Sequence, residues 1–240
     1  MKGSDKIVVR TKGGPSKQKV ATAKQFDITR RNNTEFGRRA KASAIILGAM
    51  QPLRPLADHK ISAALNALLK QIQVLDTTSQ LGEREIFLSR RPALLEGFSF
   101  NHENAFDTTL MATVRINVDA AARSISVVLP EVVPDVNFRP STRYPYCQFV
   151  VTAACVPDLV WTDLGYRVNV KMTTGRVEWR PVRAESKEQI IELPYIPDTE
   201  AHQTLLVSIG MQYGVVSPYG EIVPVKHGCA KVLLAEIVGQ

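Results

Sequence analysis

The chain has 240 residues, of which 45% are hydrophobic and 22% are charged, and its formal net charge is +7. This balance excludes a collagen-like or wholly disordered chain, and the length allows one sizeable core without disulfides or metals. The three cysteines include no CxxC pair, which favours reduced thiols and a cytoplasmic location. We see no signal-peptide pattern, and no apolar run approaches the roughly 20 residues that a membrane crossing needs.

The positive charge is concentrated at the N-terminus. Residues 1–54 carry 13 Lys and Arg against three acidic residues, a net +10, whereas the remaining 186 residues carry a net −3. A cationic segment of this kind can bind nucleic acid, lie on the acidic surface of a neighbouring subunit, or act as a solvated tail. We favour the neighbouring subunit, because the rest of the chain offers no matching basic or aromatic platform for nucleic acid.

Residues 1–28 have the composition of an extended basic arm. Gly13-Gly14-Pro15 breaks regular structure, and Ile7-Val8-Val9 is the only apolar run. Such a segment cannot bury enough apolar surface to order itself, so it is either mobile or held by a partner. The candidate partner-binding residues are Ile7, Val8, Val9, Arg10, Lys12, Lys17 and Lys19.

Residues 29–82 are predicted to form a helical hairpin. Capping residues at 32–34 open a first helix that extends to about residue 49, and Pro55 opens a second helix with a regular apolar seam from Ile61 to Leu75. The basic side chains near the start of the first helix are candidate contacts to nucleic-acid phosphates, although a solvated helix face explains them equally well. These candidates are Arg30, Arg31, Arg38, Arg39 and Lys41.

Residues 83–240 show a period of two, with Pro and Gly between the segments. About eight strands without a long helical pattern predict an antiparallel β-sandwich, of jelly-roll or immunoglobulin-like topology. Two small sandwiches that divide near residue 157 are the alternative. The clearest predicted strands are 110–118, 125–129, 146–156, 166–172, 189–193, 205–213 and 231–238.

The sequence offers no recognisable catalytic, cofactor-binding or metal-binding set. His227-Gly228-Cys229 is the nearest approach to a metal site, and structural zinc needs two close ligand pairs. Cys147 and Cys155 lie in apolar strands, where burial makes a thiol inert. We therefore expect no cofactor, no membrane partner and no small-molecule substrate, and an enzyme of unrecognised type remains the least favoured reading.

Two stretches resemble an uncharacterised family of Bacteroidota proteins. Residues 24–37, KQFDITRRNNTEFG, followed by Lys41-Ala42, are similar to the opening of that family, and Leu88-Ser89 with residues 94–101 is similar to a second shared stretch. Together they cover roughly a fifth of the chain. Because the family has no assigned activity, the resemblance implies a bacterial cytoplasmic origin and no site residues.

The sequence as a whole predicts a non-enzymatic structural or interaction protein. We expect it to form homo-oligomers through the N-terminal arm and the edges of the sheet. A nucleic-acid-binding accessory protein that uses the basic N-terminal region is the alternative.

Overall fold

The computed structural model describes residues 13–197 and 202–238. Within those ranges the helices are concentrated before the strands, in the N-terminal part of the chain. The α-helices are α1 (Lys17–Thr22), α2 (Asp27–Gly48), α3 (Ile61–Gln73) and the short α4 (Phe106–Thr109). The 3₁₀ turns are Lys24–Phe26, Gln51–Leu56, Leu88–Arg90 and Pro92–Leu95.

The strands form two antiparallel sheets, as the period of two predicted. The small sheet has the order β1-β2-β6, and the large sheet has the order β4-β3-β7-β8 with β5 on one end of β3. The strands are β1 (Arg115–Asp119), β2 (Ser124–Leu129), β3 (Tyr146–Pro157), β4 (Met172–Arg176), β5 (Arg180–Pro181), β6 (Gln189–Pro194), β7 (Gln203–Val216) and β8 (Ile222–Val238).

Both faces of the large sheet are buried. Along β3, Phe149 and Val151 pack with the small sheet in one hydrophobic cluster, whereas Val150 and Ala154 pack with the helices in another. Successive strand residues face opposite sides of a sheet, so β3 and β7 are apolar on both sides and read as nearly continuous apolar runs. The molecule therefore has three layers, with the large sheet in the middle.

The helices approach the large sheet closely because two of its strands carry glycine there. A Cβ atom added at Gly210 would lie 2.7 Å from Leu56 Cδ1, and one added at Gly228 would lie 3.0 Å from Leu56 Cδ2. The buried Asn101 amide fastens the same place, since it donates to the Leu56 and Gly228 carbonyls at 2.8 and 3.1 Å. Small residues on β7 and β8 thus set the distance between the helical layer and the sheet.

The segment before α4 packs into the core rather than facing a partner. Phe100 is fully buried, and its N–H donates to the Ala230 carbonyl at 2.9 Å. Residues 97–100 cover the outer edge of β8 around Val232, whose N–H donates to the Phe98 carbonyl at 3.0 Å. Phe98 is partly buried and packs against the same hydrophobic cluster as Phe100.

The predicted helix boundaries need correction. Residues 17–22 and 24–48 are helical, so the expectation of an extended arm over residues 1–28 is wrong from Lys17 onward. The Ser16 side chain caps α1 by accepting from the Lys19 N–H at 3.2 Å. Helix α2 begins at Asp27, seven residues before the predicted start, since Asp27 pairs with basic residues three and four positions later.

The second helix also begins later than predicted. Pro55 lies in a 3₁₀ turn, and α3 starts at Ile61. The Asp58 carboxylate accepts from the N–H groups of His102 and Glu103. These bonds hold the segment before α3 against a distant loop, and the segment itself is not helical. The packing of α3 against α2 agrees with the predicted hairpin.

Three of the predicted strands differ from those observed. Residues 166–171 form no strand, and β1 begins at Arg115 because the Met111 N–H donates to the Asn137 carbonyl instead of to a strand. Strand β8 begins at Ile222, nine residues before the predicted start. A division near residue 157 does not occur in the sheet, since β3 pairs along its whole length with β7.

Among the described residues, no helix combines the length and the apolar character that a membrane crossing requires.

Replacement of Gly228 by Ala tests how tightly β8 packs against β7 beneath the turn Gln51–Leu56. We expect Gly228→Ala to lower the free energy of unfolding by about 3 kcal/mol, because the new methyl group meets the rigid Met211 backbone. Urea denaturation measures the change. Gly37→Ala is the matched control: an added Cβ there meets nothing within 4 Å, and we expect a gain of about 0.5–1 kcal/mol. Equal losses in both variants would contradict the packing described here.

Candidate assembly surfaces

The first described part of the chain, residues 13–34, stands off the body of the protein. None of these residues is buried, and Glu35 is the first buried residue among those that the structure describes. We call residues 13–34 the N-terminal hook. Lys17 and Lys19, two of the predicted partner-binding residues, lie exposed on its helix α1. The other five, Ile7, Val8, Val9, Arg10 and Lys12, lie outside the described residues.

Arg30 holds the hook in its bent shape. Its guanidinium Nη1 donates to the carbonyls of Val20 and Ala23, each at 2.9 Å, which fastens the end of α1 to the start of α2. Asp27 accepts from Arg30 at 3.3 Å and from Arg31 at 2.8 Å. The hook is therefore a defined helical element that is stabilised mostly by its own contacts.

The buried face of α2, which includes the charged Glu35 and Arg39, extends by helical spacing past the point where the body ends. Arg39, Ala42 and Ile46 are buried on this face, and Ile28 occupies the same face by helical spacing. Ile28 is nevertheless 65% exposed. Ile28 is thus exposed to solvent, although it lies on the helix face whose later residues are buried.

A buried ion cluster fixes the point where the hook leaves the body. The Glu35 carboxylate accepts from Arg84 Nε and Nη2 at 2.7 and 2.8 Å and from the Gly82 N–H at 3.0 Å. Gly82 has φ +99°, a conformation that favours glycine, and Arg31 packs directly over it. Arg39 approaches Glu35 to 3.9 Å and donates to Asn66 and Gln73 at 3.1 and 2.6 Å.

Asp76 organises the loop that carries Arg84. Its carboxylate accepts from the N–H groups of Thr78 and Glu85 at 3.0 and 2.9 Å and from the Thr78 hydroxyl at 2.6 Å. Burial acts to raise the pKa of Asp76, but these donors outweigh it and hold that pKa well below the usual 3.8. The loop geometry therefore depends on an ionised Asp76.

Arg38 and Lys41 are engaged next to this cluster. Arg38 donates to the Glu83 carbonyl at 2.8 Å and to Glu85 at 3.2 Å, and both cations lie over the Trp161 ring. Burial raises the pKa of Glu85, partly offset by the Trp161 N–H and the Arg38 charge. These contacts fasten the side of α2 to the loop after β3.

The five candidate phosphate contacts differ in their burial and in their contacts within the chain. Arg39 is 8% exposed and is excluded from a surface contact, because its removal would leave the buried side-chain oxygens of Asn66 and Gln73 without their donor. Arg30, Arg31 and Arg38 are already hydrogen-bonded within the chain. Lys41 is exposed, although its ammonium lies 4.5 Å from the Trp161 ring centroid.

A second surface is the opening between the two sheets at the β1 and β8 edges. A cavity of about 720 Å³ lies there, lined by Ile116 and Val118 of β1 and by Leu234 and Val238 of β8. A further cavity of about 400 Å³ continues toward Val114 and Leu233. We call this opening the β1–β8 groove. Its lining combines partly buried apolar side chains from the edge of the core with the polar groups of Arg123, Tyr195 and Glu236.

The opposite side of the two sheets is closed. The Thr173 hydroxyl donates to the Pro194 carbonyl at 2.7 Å and so joins β4 to the end of β6. A Cβ atom added at Gly175 would lie 2.4 Å from Ile191 Cγ2, so the two sheets touch there. The sheets therefore meet along one edge and separate along the other, which leaves β1 as an unpaired edge among the described residues.

Polar groups stand at one end of the groove. Arg123 and Glu236 line the cavity together with the Tyr195 ring. Burial raises the pKa of Tyr195, and the neighbouring Cys155 and Glu236 add to that effect. The phenol therefore stays neutral at physiological pH, and the groove offers hydrogen-bonding and charged groups beside its apolar floor.

The remaining chemically reactive groups are poorly placed for catalysis. Burial raises the pKa of Cys155 to about 11 and that of Cys229 to about 12, so neither thiol ionises near neutral pH. A polar cavity of about 330 Å³ contains Tyr213 and His227, but the Tyr213 hydroxyl is occupied by the Ser141 N–H at 2.6 Å. Among residues 13–197 and 202–238, no cluster of three or more His, Cys, Asp or Glu side chains is arranged to hold a metal ion.

The amino-acid sequence alone did not identify the groove residues as a binding site. The alternation of Ile116 and Val118 with polar neighbours predicted a half-buried strand, which is correct for β1. That pattern is the same for an edge strand and a central one, because it reports burial of one face and not the pairing of the backbone.

We predict that Glu35 makes folding depend on acidity. Burial acts to raise the pKa of Glu35, but Arg84, the Gly82 N–H and Arg39 together hold it below the usual 4.5. Glu35 therefore binds protons more weakly in the folded chain, so its stabilisation is complete above about pH 5 and is lost as the pH falls through the folded-state pKa. Glu35→Gln should lower the free energy of unfolding by about 3 kcal/mol at pH 7. In urea denaturation, the free energy of unfolding of this variant should fall less steeply as the pH is lowered than that of the unchanged chain.

Asp27→Asn is the matched control, because Asp27 also pairs with two arginines but its side chain is 46% exposed. We expect it to change the free energy of unfolding by less than about 0.5 kcal/mol. A loss as large as that of Glu35→Gln, or an unchanged acid dependence in Glu35→Gln, would show that the buried cluster does not anchor α2.

No family model, no curated protein and no solved structure matches this chain.

Proposed function

We propose that this chain is a non-enzymatic structural or interaction protein that self-associates through its N-terminal region and the edges of its sheets. The observation that carries the proposal is the N-terminal hook. It holds no buried residue, it is rigidly anchored at Glu35, and it presents Ile28 to solvent. A helical element of this kind buries little apolar surface within its own subunit, so we expect it to pack against a neighbouring subunit.

The charge distribution supports contact between copies. Residues 1–54 carry a net +10, whereas the other 186 residues carry a net −3. Complementary charges raise the rate at which two copies meet and favour the contact of one N-terminal region with another body. Such a contact weakens as salt screens the charges.

The remaining expectations belong to the same proposal. A β-sandwich of jelly-roll or immunoglobulin-like topology, a bacterial origin in the resembled Bacteroidota family and a cytoplasmic location are consistent with a mainly β chain that has three buried free cysteines.

Removal of residues 1–25, which takes away α1 and the segment before it and leaves α2 in place, tests self-association directly. Size-exclusion chromatography with light scattering should show the full-length chain as an oligomer whose mass falls with dilution and with added salt. A chain that lacks residues 1–25 should be monomeric, with an unchanged free energy of unfolding, since no described residue of that segment is buried. A full-length chain that stays monomeric at high concentration would refute the proposal.

A nucleic-acid-binding accessory protein is the second candidate, and the exposed lysines of the hook favour it. Lys17, Lys19 and Lys24 are exposed and form no ion pair among the described residues. In this case single-stranded RNA or duplex DNA should bind at low salt, with an affinity that falls steeply as salt rises.

Replacing all three lysines by glutamine should then reduce the slope of the salt dependence by about three. Lys226, Lys187 and Lys171, changed together, provide the control for the loss of three positive charges outside the hook. Absence of any bound complex at low salt would eliminate this candidate.

A further inference from the structure

We infer that the β1–β8 groove receives residues 6–10 from a second copy of this chain as an added strand. The inference rests on the proposed function and specifies which segment enters which surface. Strand β1 has a partner on one side only among the described residues. Its other side therefore presents unpaired N–H and C=O groups that an extended segment can satisfy.

The groove and the segment agree in length. Strand β1 has five residues, which span about 17 Å at roughly 3.4 Å per residue. The run Lys6-Ile7-Val8-Val9-Arg10 also has five residues, with its apolar part at the centre. One added strand would therefore cover β1 from end to end.

The groove and the segment also agree in apolar character. In a strand, Ile7 and Val9 lie on one face and Val8 on the other. With the first pair directed inward, two branched side chains enter a cavity lined by Ile116, Val118, Leu234 and Val238. Burial of these partly exposed side chains supplies the hydrophobic free energy for the contact.

The charges at the groove favour a segment with basic ends. Glu236 lines the cavity and Asp119 ends β1, and neither carboxylate forms an ion pair among the described residues. Arg123 lines the same cavity, and Asp119 also accepts from the Ala122 N–H at 2.8 Å. One of the two cations that flank the apolar run, Lys6 or Arg10, can approach these carboxylates at that end of the groove.

The arrangement of the layers favours a second copy as the source of the segment. The hook leaves the body from the helical layer, beside Glu35 and Gly82, whereas the groove opens between the two sheets. The large sheet separates these two places. A neighbouring copy can present its segment to the groove without crossing that sheet.

Two full-length variants, each defective in one half of the contact, test the inference. The first carries Ile7→Asp and Val9→Asp and keeps an intact groove; the second carries Ile116→Lys and keeps an intact segment. Light scattering should show each variant alone as a monomer, with at least a roughly tenfold weaker association than the unchanged chain. An equimolar mixture should form a one-to-one pair and nothing larger, because one segment and one groove remain functional.

Asn117→Lys is the matched control, since Asn117 is the exposed neighbour of Ile116 on β1, and this variant should associate like the unchanged chain. Urea denaturation of every variant shows that the fold is retained. Association of Ile116→Lys equal to that of the unchanged chain, or a mixture that stays monomeric, would overturn the inference and leave self-association intact. A monomeric unchanged chain would instead overturn both this inference and the proposed function.

Discussion

The large sheet is wider than the small sheet that covers it, and the surfaces of the protein depend on this mismatch. Five strands form the large sheet and three form the small one. The two sheets meet at β4 and β6, where Gly175 lets Ile191 approach closely. The part of the large sheet that the small sheet leaves uncovered therefore lies on the other side, where a groove opens between β1 and β8.

On the other face of the large sheet, α2, α3 and the turn Gln51–Leu56 pack against the strands in one hydrophobic cluster. This cover comes close because Gly210 and Gly228 remove side chains that would hold the turn away. One helix of the layer, α2, is longer than the surface it covers. The buried carboxylate of Glu35 marks the boundary, and the part of α2 before it extends into solvent.

The two exposed features have complementary properties. Residues 1–54 are basic and contain a short apolar run, whereas the other 186 residues are slightly acidic and contain the groove. Reciprocal contact of the two features between two copies gives a two-fold dimer, whereas one-way contact closes into a ring or continues as a filament according to the rotation between copies. The arginines that the sequence suggested for phosphate binding act mainly inside the subunit, where they hold the hook and its anchor in place.

The sequence by itself determined the local elements. The period of two located β2, β3 and β7, the apolar seam located α3, and the apolar neighbours of Cys147 and Cys155 predicted buried thiols. Only the tertiary structure decided that Arg39 is internal, because its partners Asn66 and Gln73 are 27 and 34 residues away in the chain. It also decided that β1 is an edge: pairing between strands depends on contacts between residues far apart in sequence, whereas alternation within a strand reports only which face is buried.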